Sequence, residues 1–308
     1  IERILAGETD TYRVTKEYIH ADGHPIWGHL AVSCLRGPNG EVDQLIGQIV
    51  DVTNEVHLAR RLRTKADKIA SELRSAAAYV ASILPGDLDG PVRVSSRYLP
   101  SQELAGDSFD YRWIDDDHLI AYLLDVSGHG ISPALLSVSV HNLLRSGSLP
   151  LQTLLAPEKV LAELNRSFQM DQHDGNYLTM WFGVYELSSR TLRYASAGAP
   201  PAIAVDAGIS PELLATDGQP LGMFDDIVYT ASNYAVPHGC RILLYSDGAF
   251  ELDLVDGGQL TLAQFTTMFT RLAASSEPSL DEFGETLQSL TRSAEFDDDC
   301  SLVLLTFD

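Results

Sequence analysis

Four times between Ala105 and Ser301, an apolar run of strand length meets a short acidic motif at one of its ends. The motifs are Ala105-Gly106-Asp107-Ser108-Phe109-Asp110, Asp125-Val126-Ser127-Gly128-His129-Gly130, Tyr245-Ser246-Asp247-Gly248 and Asp297-Asp298-Asp299-Cys300-Ser301. Each sets a carboxylate at the end of a strand that reads as buried. Carboxylates gathered there are costly unless a hard cation neutralises them. The simplest account is a divalent-metal catalytic centre.

Taken singly, every motif has an ordinary explanation. Leu119–Leu124 stops at Asp125, and the glycines that follow let the backbone turn tightly, presenting a carboxylate and its neighbour's carbonyl to one ion. Asp125 could equally cap a turn before the helix expected from Ile131. Asp247-Gly248, after the strand Arg241–Tyr245, is a common turn dipeptide. Asp297-Asp298-Asp299 could be an acidic surface loop, although three adjacent acids repel one another. Four strand-end acids with glycine neighbours are improbable as coincidence. Ligation by oxygen alone points to Mg²⁺ or Mn²⁺, because zinc prefers His and Cys.

The rest of the chain divides into three stretches. Strand runs at Tyr12–His20, Ile26–Leu35 and Val42–Val52 are separated by the turns Ala21-Asp22-Gly23-His24-Pro25 and Arg36-Gly37-Pro38-Asn39-Gly40, predicting an antiparallel meander. Residues 54–84 read as one helix ended by Pro85-Gly86. In it Ala59, Ala66, Leu73 and Val80 alternate with Leu62, Ile69, Ala76 and Ile83 at spacings of three and four, a heptad seam. That seam predicts a parallel two-helix coiled coil; packing on the helix's own domain is the plainer reading. Beyond residue 90, strands are expected at 92–99, 108–114, 118–125, 177–186, 190–197, 201–206, 227–234, 240–246 and 301–307. Helices are expected at 131–146, 157–170, 261–273 and 279–294. Short turns such as Asp115-Asp116-Asp117 and Ser188-Ser189 imply hairpins, so the class is α+β, not a doubly wound parallel sheet.

Composition narrows the function. With 45% hydrophobic residues in 308, the chain can build a sizeable core. No apolar run approaches the roughly 20 residues that span a bilayer. A net charge of −22 argues against nucleic-acid or anionic-membrane partners. The excess is local: residues 1–84 hold 11 acidic and 10 basic side chains, the remainder 32 and 11. Cys34, Cys240 and Cys300 are odd in number and far apart, and read as reduced core residues of a cytoplasmic protein. A start at Ile1 suggests a fragment of a longer chain.

Two resemblances follow from these residues. The order of charged strand, Asp22-Gly23 turn, Trp27-containing strand, Asn39-Gly40 turn, apolar strand and Asp51-Val52-Thr53 resembles the C-terminal half of a PAS sensor domain. Residues 90–308 resemble the PPM (type 2C) metal-dependent Ser/Thr protein phosphatases, in the branch typified by stage II sporulation protein E. The landmarks are Ile83-Leu84-Pro85, the four acidic motifs, Ser196-Ala197-Gly198, Gly218-Gln219-Pro220-Leu221-Gly222 and Glu251. Domains are accordingly expected at 1–53 (partial PAS sheet), 54–85 (coiled-coil linker helix) and 86–308 (phosphatase, an α-β-β-α sandwich).

The second resemblance implies two Mn²⁺ or Mg²⁺ ions. Asp125 would bridge them, the Val126 carbonyl and Asp107 would serve one ion, and Asp247 and Asp298 the other. Asp299 replaces Asp298 if the alignment slips by one, and Asp110 is expected to stand behind the ligands. Two ions about 3.5–4 Å apart acidify a shared water for in-line attack on phosphorus. No Cys-His or Ser-His-Asp pattern offers a protein nucleophile. His129 could act on the leaving oxygen, but a glycine-flanked turn histidine is more often structural. The family's Ala-Gly-His-Pro-Pro is Ala197-Gly198-Ala199-Pro200-Pro201 here, so that histidine's role is lost. Ser246 and Ser301 stand where threonine is usual.

The implied function is a phosphoserine/phosphothreonine phosphatase acting on a phosphorylated anti-sigma-factor antagonist, within a sensor-regulated homodimer joined through the linker helix. A non-catalytic dimeric scaffold of the same fold is the alternative. A nucleotide cyclase fits less well, lacking a nucleotide-binding pattern and the βαββαβ order.

Overall fold

The computed structural model describes residues 2–101, 104–206, 211–255, 257–292, 296 and 298–308. The chain divides into two compact units, residues 1–72 and 73–308, with the division falling inside a long helix.

In the first unit a short helix α1 (Glu2–Leu5) precedes β1 (Thr11–Ile19), β2 (Pro25–Arg36) and β3 (Val42–Asp51), which pair antiparallel in the order β1-β2-β3. The register runs from Thr11↔Ser33 to Ile19↔Pro25, and from Gly28↔Asp51 to Arg36↔Val42 with an irregularity at Leu35/Arg36. Helix α2 (Thr53–Ile83) follows directly. Its start is tied to the sheet: Asp51 Oδ1 accepts from the Thr53 amide at 2.9 Å, and Thr53 Oγ1 accepts from the Trp27 amide at 2.8 Å. The Arg60 guanidinium lies 4.8 Å from the Trp27 ring centre. Leu62 and Ile69 are exposed. In the second unit the last turns of α2 pack Leu73, Ala77 and Val80 against Leu104, Ala134 and Val138.

The remaining strands are β4 (Val92–Leu99), β5 (Ser108–Trp113), β6 (His118–Val126), β7 (Leu178–Glu186), β8 (Thr191–Ala197), β9 (Ala202–Val205), β10 (Glu212–Leu214), β11 (Ser232–Ala235), β12 (Arg241–Tyr245) and β13 (Cys300–Phe307). They form two antiparallel sheets of five, in the orders β10-β9-β12-β13-β4 and β11-β8-β7-β6-β5. The helices are α3 (Ile131–Arg145), α4 (Leu151–Leu154), α5 (Pro157–Ser167), α6 (Leu262–Ala273) and α7 (Leu280–Leu290).

Strand alternation explains the layering. On β6, Leu119, Ala121 and Leu123 join Val303, Leu305, Ile242 and Leu244 in a core between the sheets. Ile120, Tyr122 and Leu124 point the other way and pack on Leu136, Val140 and Leu144 of α3 and Val160, Leu161 and Leu164 of α5. The outer face of the β10-β9-β12-β13-β4 sheet, including Leu243, Leu302 and Leu304, is covered by Phe265 and Phe269 of α6 and Phe283 and Leu287 of α7. The result is the expected α-β-β-α sandwich.

Two expectations need correction. The strand at 227–234 is only Ser232–Ala235. Val228 is 85% exposed, and Tyr229 buries its ring beside the helices while its hydroxyl donates to the Gln219 carbonyl. β10 was not expected; it is three residues paired to β9.

Candidate metal centre

Antiparallel pairing brings the acidic motifs to one end of the sandwich. β5 begins where β6 ends, with Ser108 opposite Leu124, so Asp107 and Asp125 are neighbours. β12 ends where β13 begins, with Tyr245 opposite Leu302, so Asp247 adjoins Asp298 and Asp299. Cys300 lies opposite Leu99, which brings the loop after β4 to the same place.

Their mutual repulsion shows the proximity. Burial pushes the Asp125 carboxyl up to about 8, reinforced by the negative charges of Asp247, Asp298 and Asp299. Asp107 is buried, and is pushed well above the usual carboxylate range by desolvation and then by Asp125. Neither Asp107 oxygen has a hydrogen bond of good geometry among the described residues. The hydroxyls of Ser301 and Ser246 lie close enough only to moderate the rise. Asp247 is raised by burial and by Glu251, and Asp298 by burial and by Asp247. His129, exposed on its turn, lies near enough to Asp298 to favour the ionised form.

Asp299 behaves differently. Its Oδ1 accepts from the Ser101 amide and hydroxyl, both at 2.9 Å, and its Oδ2 accepts from the Gly106 amide at 2.9 Å. These bonds join chain segments nearly two hundred residues apart. Among the described residues, Asp298 is bonded to its own neighbour alone, with Oδ1 accepting from the Asp299 amide at 2.8 Å. Of the two neighbours, Asp299 is thus held at both oxygens and acts as a clamp, while Asp298 keeps the more open carboxylate. Ser246 extends the clamp: its hydroxyl donates to the Asp299 carbonyl and accepts from the Ser301 amide, both at 2.9 Å.

Gly106 shows why the clamped loop cannot carry a side chain. A Cβ there would lie 2.7 Å from the Val126 carbonyl oxygen and 3.5 Å from Asp125 Oδ1. That carbonyl thus faces the cluster beside the Asp125 carboxylate. Asp110 does not belong to the cluster. It is buried, but its Oδ2 pairs with Arg112 Nη1 at 2.7 Å and Arg145 Nε at 3.3 Å. The expectation that it supports the ligands is replaced by an ion-pair role on the α3 side of the sheet. Asp297 lies outside the described residues.

The donor set fits hard divalent cations: it is all oxygen, strongly negative, and contains one buried carboxylate with no internal counter-charge. Among the described residues, the His/Cys/Asp/Glu triplets whose ligand atoms all lie within 4.8 Å are His20-Asp22-His24 and Asp117-His118-Glu186, both elsewhere. The aspartates are spread more widely than the shell of one ion.

Comparison with known proteins agrees with the fold. The profile of the stage II sporulation protein E family matches residues 115–308. Phosphoserine phosphatase RsbP of Bacillus subtilis is 35% identical over 164 residues, covering 52% of this chain and 40% of that protein. Phosphoserine phosphatase RsbU of the same organism is 28% identical over 200 residues, covering 64% and 58%. The chain thus spans about half the length of these curated relatives. The SiaA-PP2C domain of Pseudomonas aeruginosa superposes with a TM-score of 0.69 at 20% identity, covering 79% of this chain and 99% of that domain.

Proposed function

This chain belongs to the stage II sporulation protein E family, and on that premise we propose that it is a metal-dependent protein phosphatase hydrolysing phosphoserine or phosphothreonine. The observation that carries the reading is Asp107, a buried carboxylate without a hydrogen-bond partner among the described residues, in a nest of four other aspartates. Asp125, Asp107 and the Val126 carbonyl, with Asp247 and Asp298 opposite, are the groups proposed to hold two Mn²⁺ or Mg²⁺ ions. When bound, such ions acidify water and neutralise phosphoryl oxygens.

The protein's own contribution is positional. Asp299 fixes Ser101 and Gly106, which sets Asp107 against Asp125. Ser246 ties the end of β12 to β13, which holds Asp247 beside Asp298. The buried sheet ends exclude water behind the cluster, so charge on one carboxylate is felt by the others.

Phosphoserine is the favoured substrate group because both curated relatives carry the name phosphoserine phosphatase. We assign the phosphoprotein to the class of anti-sigma-factor antagonists, as the family resemblance implies. Residues 1–53 are proposed as part of a PAS sensor, 54–85 as a linker that pairs with a second copy through the exposed Leu62 and Ile69, and 86–308 as the catalytic domain. No helix among the described residues is long and apolar enough to cross a membrane, and the three thiols are free, which supports a cytoplasmic setting.

The decisive assay is phosphate release from a phosphoserine protein with and without Mn²⁺. Stimulation by Mn²⁺ that disappears in Asp125→Asn supports the proposal. Failure of the wild-type chain to bind Mn²⁺ at millimolar levels would favour a non-catalytic scaffold.

A further inference from the structure

The hairpin joining β1 to β2 carries a constellation that phosphatase chemistry does not use. The register ends at Ile19↔Pro25, so His20 and His24 are the next facing pair, at the mouth of the turn. The turn closes through the His20 amide on the His24 carbonyl at 2.8 Å and the Gly23 amide on the His20 carbonyl at 2.9 Å. Gly23 has φ +93°, a conformation that side-chain-bearing residues resist, and it folds Asp22 back between the histidines. His20 Nδ1 lies 2.9 Å from Asp22 Oδ1, and His24 Nδ1 closes on the same oxygen. The imidazole rings stack with centres 4.6 Å apart.

We propose that His20, Asp22 and His24 form a surface site for a divalent transition ion of imidazole preference, Ni²⁺, Cu²⁺ or Zn²⁺. Their three ligand atoms lie within 4.8 Å of one another, a spacing one ion can bridge. Two nitrogens and a carboxylate oxygen suit these metals, whereas Mg²⁺ and Mn²⁺ favour oxygen alone. The backbone turn presets the spacing, so little ordering is needed on binding. All three side chains are about half exposed, leaving room for water to complete the coordination. In the ion's absence the histidines face the Asp22 carboxylate; binding replaces the shared protons with metal–ligand bonds.

The other triplet does not offer this. His118 Nδ1 sits 2.9 Å from both Asp115 oxygens, and Asp117 already accepts from the Ser188 amide and hydroxyl at 2.7 Å. The His20 site also has a neighbour of consequence. Asp51, whose carboxylate accepts from Thr53 at the start of α2, lies close enough to feel both histidines. A dication in the turn would act on the charge that begins the long helix.

The test is calorimetric titration of the full chain with Ni²⁺ in excess Mg²⁺, which keeps the aspartate cluster occupied. Wild type should bind one Ni²⁺ that the His20→Ala/His24→Ala variant does not, and each single variant should bind more than about tenfold more weakly. His118→Ala should retain that equivalent. Unchanged stoichiometry and affinity in the double variant, or loss of the equivalent in His118→Ala instead, would overturn the assignment.

Discussion

Asp107 and Asp110 lie three residues apart at the start of β5, and both are buried to within 1% of full enclosure. One faces Arg112 and Arg145; the other, among the described residues, faces aspartates and two serine hydroxyls. The pleat separates them. Asp110 shares the outer face of the sheet with Tyr122, where α3 delivers Arg145, whereas Asp107 precedes the strand at the open sheet end. A buried acid alone is therefore no sign of a metal site. The informative quantity is the counter-charge the fold supplies: complete for Asp110, and missing for Asp107.

Substitutions can break that comparison directly. The largest effect is expected for Asp125→Asn, which should lower Mn²⁺-dependent phosphate release on the order of 10³-fold, as deletion of a preorganised charge-stabilising group does. Asp107→Asn should also lose activity, yet the metal-free protein should become more stable, because it removes a buried carboxyl that folding must either protonate or keep ionised without a counter-charge. Asp110→Ala should do the reverse. It strands two arginines and should cost about 3–5 kcal/mol of stability, while folded protein still binds Mn²⁺. Equal destabilisation by Asp107→Asn and Asp110→Ala in chemical denaturation would erase the distinction.

Thermal melts give the next contrast. Mn²⁺ at a hundred times its dissociation constant should stabilise by about 2.7 kcal/mol, or about 5–10 °C for a domain of this size. That rise should persist in Asp110→Ala and vanish in Asp125→Asn. Without metal, pH acts in the same sense. The Asp125 carboxyl is raised in the folded state to about 8 from an ordinary 3.8, so folding binds a proton between those values. Metal-free stability should fall as pH rises through that window, and less steeply in Asp125→Asn. A steeper fall in the variant would contradict the cluster's repulsion.

Strand alternation and turn chemistry made most of the strands and helices and the α+β class legible beforehand, because both are local properties; the sandwich itself was implied by the family resemblance. Where they failed, a longer-range fact intervened. Tyr229 looked like strand but is held by the Gln219 carbonyl, and β10 exists only because β9 pairs with it. The acidic motifs pointed to the site, but Asp298 and Asp299 could not be told apart from neighbouring residues. What separates them is Ser101 and Gly106, distant in sequence. Asp110 failed for the same reason: Arg145 comes from α3, and nothing near residue 110 announces it.

Arg145 also supplies the smallest and most discriminating prediction. Its side chain is 42% exposed and its Nε is 3.3 Å from Asp110, against 23% and 2.7 Å for Arg112. Water screens the more exposed guanidinium, so its pair should be worth no more than about 1 kcal/mol. Arg112 also donates to the Leu144 carbonyl at 2.8 Å, which holds it in place when Arg145 is gone. Arg145→Ala should therefore cost about 1 kcal/mol or less in denaturant unfolding, well short of Asp110→Ala. A cost equal to that of Asp110→Ala would mean that Asp110 needs both arginines. Its neutralisation would then be only just sufficient, and the contrast with Asp107 a matter of degree.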